Sequence, residues 1–167
     1  MTDKDHIPNG FDTLYNTIDQ IIEEARNTVY RTANFTMVQA YWSIGKTIVV
    51  EEQNGKEKAE YGQELIKQLS KKLTKKYGKG FTETNLKYMR QFYQVFEKSH
   101  ALRDQLSWTH YRLLLKVESH RARQFYMQEA IECNWSTRSL ERQINNLYYD
   151  RMLMSKNTEV VKSEALE

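Results

Sequence analysis

Eight basic side chains fall between residues 67 and 90: Lys67, Lys71, Lys72, Lys75, Lys76, Lys79, Lys87 and Arg90. Glu83 is the one acid among them. That segment holds an excess of seven positive charges in a chain of net charge +3, so the remainder is negative by four. Basic charge gathered this way neutralises the phosphates of a polyanion and releases its counterions, which attracts nucleic acid of any sequence. Lys71, Lys72, Lys75, Lys76 and Lys79 are the candidate phosphate contacts. Four side chains nearby have the chemistry to read or grip a duplex. Thr84 and Gln91 can hydrogen-bond base edges, Lys87 can do so or meet a phosphate, and Tyr88 can stack or touch the backbone. Arg90 lies at the flank of that set and suits a phosphate. The competing account of the same lysines is a solvated helix surface, with Lys75 and Lys76 favoured near a helix C-terminus by the dipole. Tyr77, Tyr88 and Phe92 suit a core at least as well as a stacking platform.

Other chemistries find no support. His6, His100, His110 and His120 have no ligand spacing on one helix face, and Cys133 stands alone, so no metal site and no cofactor is expected. Glu23-Glu24 and Glu51-Glu52 are adjacent pairs that do not face each other on a helix, which favours solvated surface over acid–base catalysis. Neither a phosphate-binding glycine loop nor a nucleophile elbow is present. Ser107 and Ser136 sit where helix caps belong. No catalytic residue is expected in this chain.

The elements that must position the basic segment are helical. Proline occurs once, and the stretches between the few glycines are rich in Glu, Lys, Gln, Leu and Arg. The expected fold is an all-α bundle of about seven helices. Phe11, Leu14, Ile18, Ile21 and Ala25, widened by Ile22 and Val29, predict an amphipathic helix over 11–31. Met37, Tyr41, Ile44 and Ile48 continue to about Glu52, and Asn34 either caps this second stripe or lies inside one long helix. Asn54-Gly55 and the mixed charges around them predict a loop over 53–62. Leu65, Ile66, Leu69, Leu73 and Tyr77 mark the next helix, ended by Gly78-Lys79-Gly80. Thr82 then reads as an N-cap, with Phe81 and Leu86 as a hydrophobic staple. The helix it starts turns Leu86, Met89, Tyr93 and Phe96 inward and ends in the polar stretch 97–105. Residues 63–96 therefore form a helix-turn-helix-like pair, whose second helix presents Thr84, Lys87, Tyr88 and Gln91 outward. Ser107 and Ser136 head two further helices, 108–117 and 137–154, with another over 120–133; Leu140, Ile144 and Leu147 face inward in the last. Residues 1–10 are expected to be disordered, 11–154 to be a single helical domain, and 155–167 to be a polar tail.

A lone cysteine rules out a disulfide framework, and no apolar run reaches the roughly 18 residues of a membrane helix. A cytoplasmic protein without membrane contact is the simplest reading. Duplex DNA is the expected partner. The rival reading is a scaffold, in which the long helices of 11–52 pair with a second copy as a homodimer or with another subunit, since they carry more apolar surface than a small bundle covers.

Several segments together resemble one known family. They are Tyr41-Trp42-Ser43-Ile44-Gly45-Lys46, the run from Phe81 to Tyr93, Leu106-Ser107-Trp108-Thr109-His110-Tyr111, Arg123-Gln124-Phe125-Tyr126, and the run from Trp135 to Ile144. In this order they resemble the N-terminal domain of the YhcG family, over about residues 11–154. The resemblance implies a bacterial helical domain, helix-turn-helix-like, that precedes a metal-dependent PD-(D/E)xK-type nuclease domain. That nuclease fold needs acids and a lysine on a small sheet. Neither the strands nor such an arrangement is seen here, so the chain is expected to serve an endonuclease as its DNA-binding module without cutting DNA itself. No catalytic position of the family can be carried over.

Overall fold

A computed structural model describes residues 10–54, 59–97 and 102–155. The expectations for the extreme N-terminus, Gly55, residues 98–101 and the tail beyond Ser155 lie outside these. Among the described residues the fold is all-α: α1 (Phe11–Asn54), α2 (Ala59–Tyr77), α3 (Glu83–Val95), α4 (Trp108–Leu114), α5 (His120–Glu132), α6 (Thr137–Asn145) and α7 (Tyr148–Met154), with a 3₁₀ turn, Lys79–Phe81, between α2 and α3.

The question at Asn34 resolves to one helix. α1 runs unbroken for 44 residues, about 66 Å at 1.5 Å per residue. No glycine or proline interrupts it near Asn34, and the threonines there do not cap; Thr36 Oγ1 donates to the Thr32 carbonyl one turn back. The two ends of α1 differ. Residues 11–34 are exposed on every side, whereas from Phe35 onward one face is covered, with Val38, Gly45, Ile48 and Val49 buried. The predicted loop 53–62 is shorter than expected, because α2 already begins at Ala59. Its first turn is held to the end of α1 by Tyr61, whose hydroxyl donates to Glu51 Oε1 at 3.1 Å.

The segment Tyr41–Lys46 joins α1 to the rest. Tyr41 packs on Trp108, ring centroids 5.0 Å apart, and Trp42 meets Tyr93 edge-on at 5.1 Å. Trp42 Nε1 also donates to the Phe96 carbonyl at 2.6 Å, satisfying an acceptor that the end of α3 would otherwise leave open. Gly45 lies directly on the Met89 backbone. From α3 the core extends two ways. Leu86 and Met89 pack with Ile48 and Ile66, while Phe92 and Phe96 pack with Tyr111, Leu114, Tyr126 and Leu140. The expected seam of α3 holds at Leu86, Met89 and Phe96, but the fully buried aromatic is Phe92 and not Tyr93, which is half-buried against Trp42. The α2 stripe departs at its end, where Tyr77 is exposed and rests on Phe81.

Thr82, Ser107 and Ser136 all cap as expected, each accepting a backbone N–H from the third residue of its helix. At Ser107 the box is closed by His110, whose Nδ1 accepts from the Ser107 N–H at 3.2 Å. Nε2 therefore carries the proton and donates to the Trp135 carbonyl at 3.0 Å. Burial holds the His110 imidazole below its ordinary value. Because Nε2 meets a backbone carbonyl and no carboxylate, Ser107 and His110 form a structural joint between α4 and α6, not an activated nucleophile.

The expected helix 137–154 is broken in two. Leu147 adopts a left-handed conformation, φ 51° and ψ 42°, and is exposed at 60%, not inward. The rotation at Leu147 places Tyr148 inside instead, 1% exposed, between Trp135 and Phe125. Tyr126 spans the break: its hydroxyl accepts from the Tyr149 N–H at 3.1 Å and donates to the Gln143 carbonyl. Helical periodicity continues through such a point, so a pattern of apolar residues does not register the kink. Among the described residues no helix is long and apolar enough to cross a membrane.

Candidate nucleic-acid interface

The α2–α3 unit is positioned from below. Ile66 is buried beneath α2, with Leu69 and Leu73 half-buried beside it, against Ile48 of α1 and Leu86 and Met89 of α3. The helical period then turns the remaining positions outward. Lys67, Lys71, Lys72, Lys75 and Lys76 are all exposed, as is Lys79 in the turn. Gly78 makes that turn with φ +88°, a value that L side chains rarely adopt. Across the turn, Thr74 Oγ1 donates to the Phe81 carbonyl, and Asn85 Nδ2 donates to the Gly80 carbonyl. The end of the lysine helix and the start of α3 are thus tied by side chains as well as by a short connection.

Among the described residues none of these lysines lies within ion-pair distance of a carboxylate. Lys76 alone has an aromatic neighbour, with Nζ 5.0 Å from the centre of the Tyr77 ring. Exposed ammonium groups clustered without ion pairs repel one another, and an anionic partner relieves that repulsion.

The structure separates the α3 candidates. Thr84, Lys87 and Gln91 are exposed along one stripe. Gln91 Nε2 reaches the Leu115 carbonyl at 3.4 Å, a long bond that an incoming acceptor can replace. Tyr88 is half-buried, with the Arg112 guanidinium 4.7 Å above its ring, so its face is occupied. Arg90 points the other way and pairs with Glu52 of α1, Nη1 to Oε1 at 2.9 Å. Lys67 is not among the contacts that the sequence suggests. It shares a groove with Lys87, lined also by Gln63, Glu64 and Glu83, which brings the α2 lysines to the edge of the α3 stripe. The two glutamates in that groove temper its charge. Lys67 was findable from its step of four ahead of Lys71, whereas Arg112 comes from a different helix and no spacing announces it.

Among the described residues no three His, Cys, Asp or Glu side chains gather to hold a metal ion.

A family model described as the DUF1016 N-terminal domain matches residues 17–151. Among curated proteins, one from Escherichia coli (strain K12) described as "Putative nuclease YhcG" is 34% identical over 178 aligned positions. The match covers 87% of this chain and 48% of that protein, so the chain spans about half the length of its relative. No solved structure matches.

Proposed function

The chain belongs to the DUF1016 N-terminal domain family, and from that premise we propose that it binds duplex DNA through the lysines of α2 and the outer stripe of α3. The observation that carries this reading is the set of exposed α2 lysines without ion pairs among the described residues, joined to the α3 stripe where Lys67 and Lys87 share a groove. Lys71, Lys72, Lys75, Lys76 and Lys79 supply phosphate attraction. Thr84, Lys87 and Gln91 enter the groove. Tyr88 acts as the stacked support of Arg112, and Arg90 contacts DNA only by leaving Glu52. In this reading the module works in the bacterial cytoplasm and targets a nuclease. The cleavage chemistry, of PD-(D/E)xK type, resides in the part of such a protein that this chain does not span.

Base reading by α3 has its own signature. Gln91→Ala shifts the preferred sequence recovered from a random duplex pool while leaving the affinity for mixed-sequence DNA within a few-fold, since the loss of one base contact is worth roughly 1–3 kcal/mol only at sites that use it. Identical preferences for the parent and the variant would remove Gln91 from base reading.

One observation favours self-association alongside DNA binding. In the uncovered part of α1, Leu14, Ile21 and Val29 are exposed at 57%, 60% and 67%, and Phe11, Tyr15, Ile18 and Ile22 lie with them on one apolar stripe. A standard interface needs roughly 800 Å² per partner, and seven large apolar side chains reach that order. The 3-4 spacing of the stripe matches itself, so a second α1 is its natural cover, and helix-turn-helix proteins commonly bind as dimers. Sedimentation equilibrium should give a dimer for the parent chain and a monomer for Ile18→Asp with Ile21→Asp. A monomeric parent at high concentration would contradict self-pairing.

A further inference from the structure

α3 is bordered by α2 on one side only; α4 meets it elsewhere, with Arg112 over Tyr88 and the Leu115 carbonyl at Gln91, and α6 packs on α4. Beside α4, a hollow of about 220 Å³ is lined by seven residues. Arg112, Lys116 and Arg138 are cationic, Thr109 and Thr137 bring hydroxyls, Glu141 is acidic and Leu113 is apolar. None of the three cations lies within ion-pair distance of a carboxylate among the described residues, Glu141 included. Lys116 and Arg138 are exposed at the rim. Arg112 is half-buried between the hollow and α3, its guanidinium over Tyr88 and its Nε buried without a hydrogen-bond partner. A buried guanidinium N–H without an acceptor is costly, and because Arg112 lines the hollow, an oxyanion there would offer acceptors to its guanidinium.

The placement of this group gives it meaning. Lys87 shares its groove with Lys67 of α2, and Tyr88, the next residue, lies under Arg112 of α4. The exposed stripe of α3 therefore runs between two basic borders that come from different helices. A helix seated in a major groove has a sugar-phosphate strand on each side of it.

We infer that Arg112, Lys116 and Arg138 form a second phosphate-binding border, gripping the backbone strand opposite the one held by the α2 lysines. This rests on the reading of α3 as the groove-facing helix and deepens it. Arg112 orients the contact, since Tyr88 fixes its plane. Lys116 and Arg138 supply the exposed charge, and Thr109 and Thr137 offer neutral donors. Glu141 opposes binding, which sets the strength of this border below that of α2.

The test is an anisotropy titration of the chain with a fluorescein-labelled mixed-sequence duplex at 50 and 200 mM salt. Each phosphate contact contributes about 0.9 to the slope of log K against log salt. Lys116→Ala with Arg138→Ala is expected to lower the slope by about two, so that the fourfold salt step weakens binding about tenfold less than in the parent. Glu141→Gln is expected to tighten binding a few-fold. All three substituted positions are exposed, and thermal melts of the variants check that the fold is kept. An unchanged slope in the Lys116/Arg138 variant, where Lys75→Ala with Lys76→Ala lowers it, overturns the second border and leaves the α2 reading standing. Absence of binding by the parent at 50 mM salt overturns both.

Discussion

Lys75→Ala with Lys76→Ala is expected to weaken binding to duplex DNA of every sequence by roughly tenfold to a hundredfold at 0.1 M salt, and to lower the salt slope by about two. The magnitude follows from counterion release: each phosphate neutralised contributes about 0.9 decade of affinity per decade of salt. Two contacts therefore account for nearly two decades between 1 M and 0.1 M. The same substitutions leave the fold nearly untouched. Both side chains are exposed and neither pairs with a carboxylate. Alanine raises helix propensity and removes like-charge neighbours at the four-residue steps 71–75 and 72–76, worth a few tenths of a kcal/mol each. Against this stands a favourable dipole interaction in the last turn of α2, about 0.3–1 kcal/mol. These effects nearly cancel, so lost affinity reports the interface and not unfolding. Equilibrium titrations at several salt concentrations, with thermal melts alongside, separate the two.

Gly45→Ala is expected to act in the opposite way, destabilising the fold by about 2–3 kcal/mol without altering a charge. A Cβ at this position would overlap the Met89 carbonyl oxygen, stand 2.7 Å from its carbon and press on Tyr93 Cβ at 3.2 Å. The first two are backbone atoms of α3 and cannot rotate away. Replacing a mid-helix glycine with alanine would by itself gain up to about 1 kcal/mol in propensity, and the overlap outweighs that. For a domain of this size the melting temperature should fall by roughly 6–10 °C. Gly80→Ala is the matched control, since a Cβ there meets nothing within 4 Å. Equal melting temperatures for the parent and Gly45→Ala would mean that α1 and α3 are not packed this closely.

The elements most legible in the sequence were those written in local chemistry. Thr82, Ser107 and Ser136 announced three helix starts, because a cap needs one side chain and its own backbone. The lysine face of α2 was legible for a similar reason: charge and a helical period define an outer surface without knowledge of the partner helix. What was not legible depended on contacts distant in sequence. Leu147 looked inward by period, and only the demand of Trp135 and Phe125 for Tyr148 turns it out. Arg90 lies beside the stripe and suits a phosphate contact by position, while its ion pair with Glu52, 38 residues earlier, has no signal in the sequence. Arg112, Lys116 and Arg138 are scattered singly in sequence and become a group only when α4 and α6 pack together. The motif around Trp42 and Gly45 was recognisable as a pattern, but its physical basis, a close approach of α1 to the α3 backbone, appears only in three dimensions.

The central claim is that this surface binds duplex DNA, and the most direct measurement is an anisotropy titration of the unmodified chain with a labelled mixed-sequence duplex at 50 and 200 mM salt. With Lys71, Lys72, Lys75, Lys76, Lys79 and Lys87 engaged, saturable binding that weakens about a thousandfold between those concentrations is the predicted result, and about ten times more with Lys116 and Arg138 also engaged. No binding at 50 mM salt, or binding indifferent to salt, would contradict it.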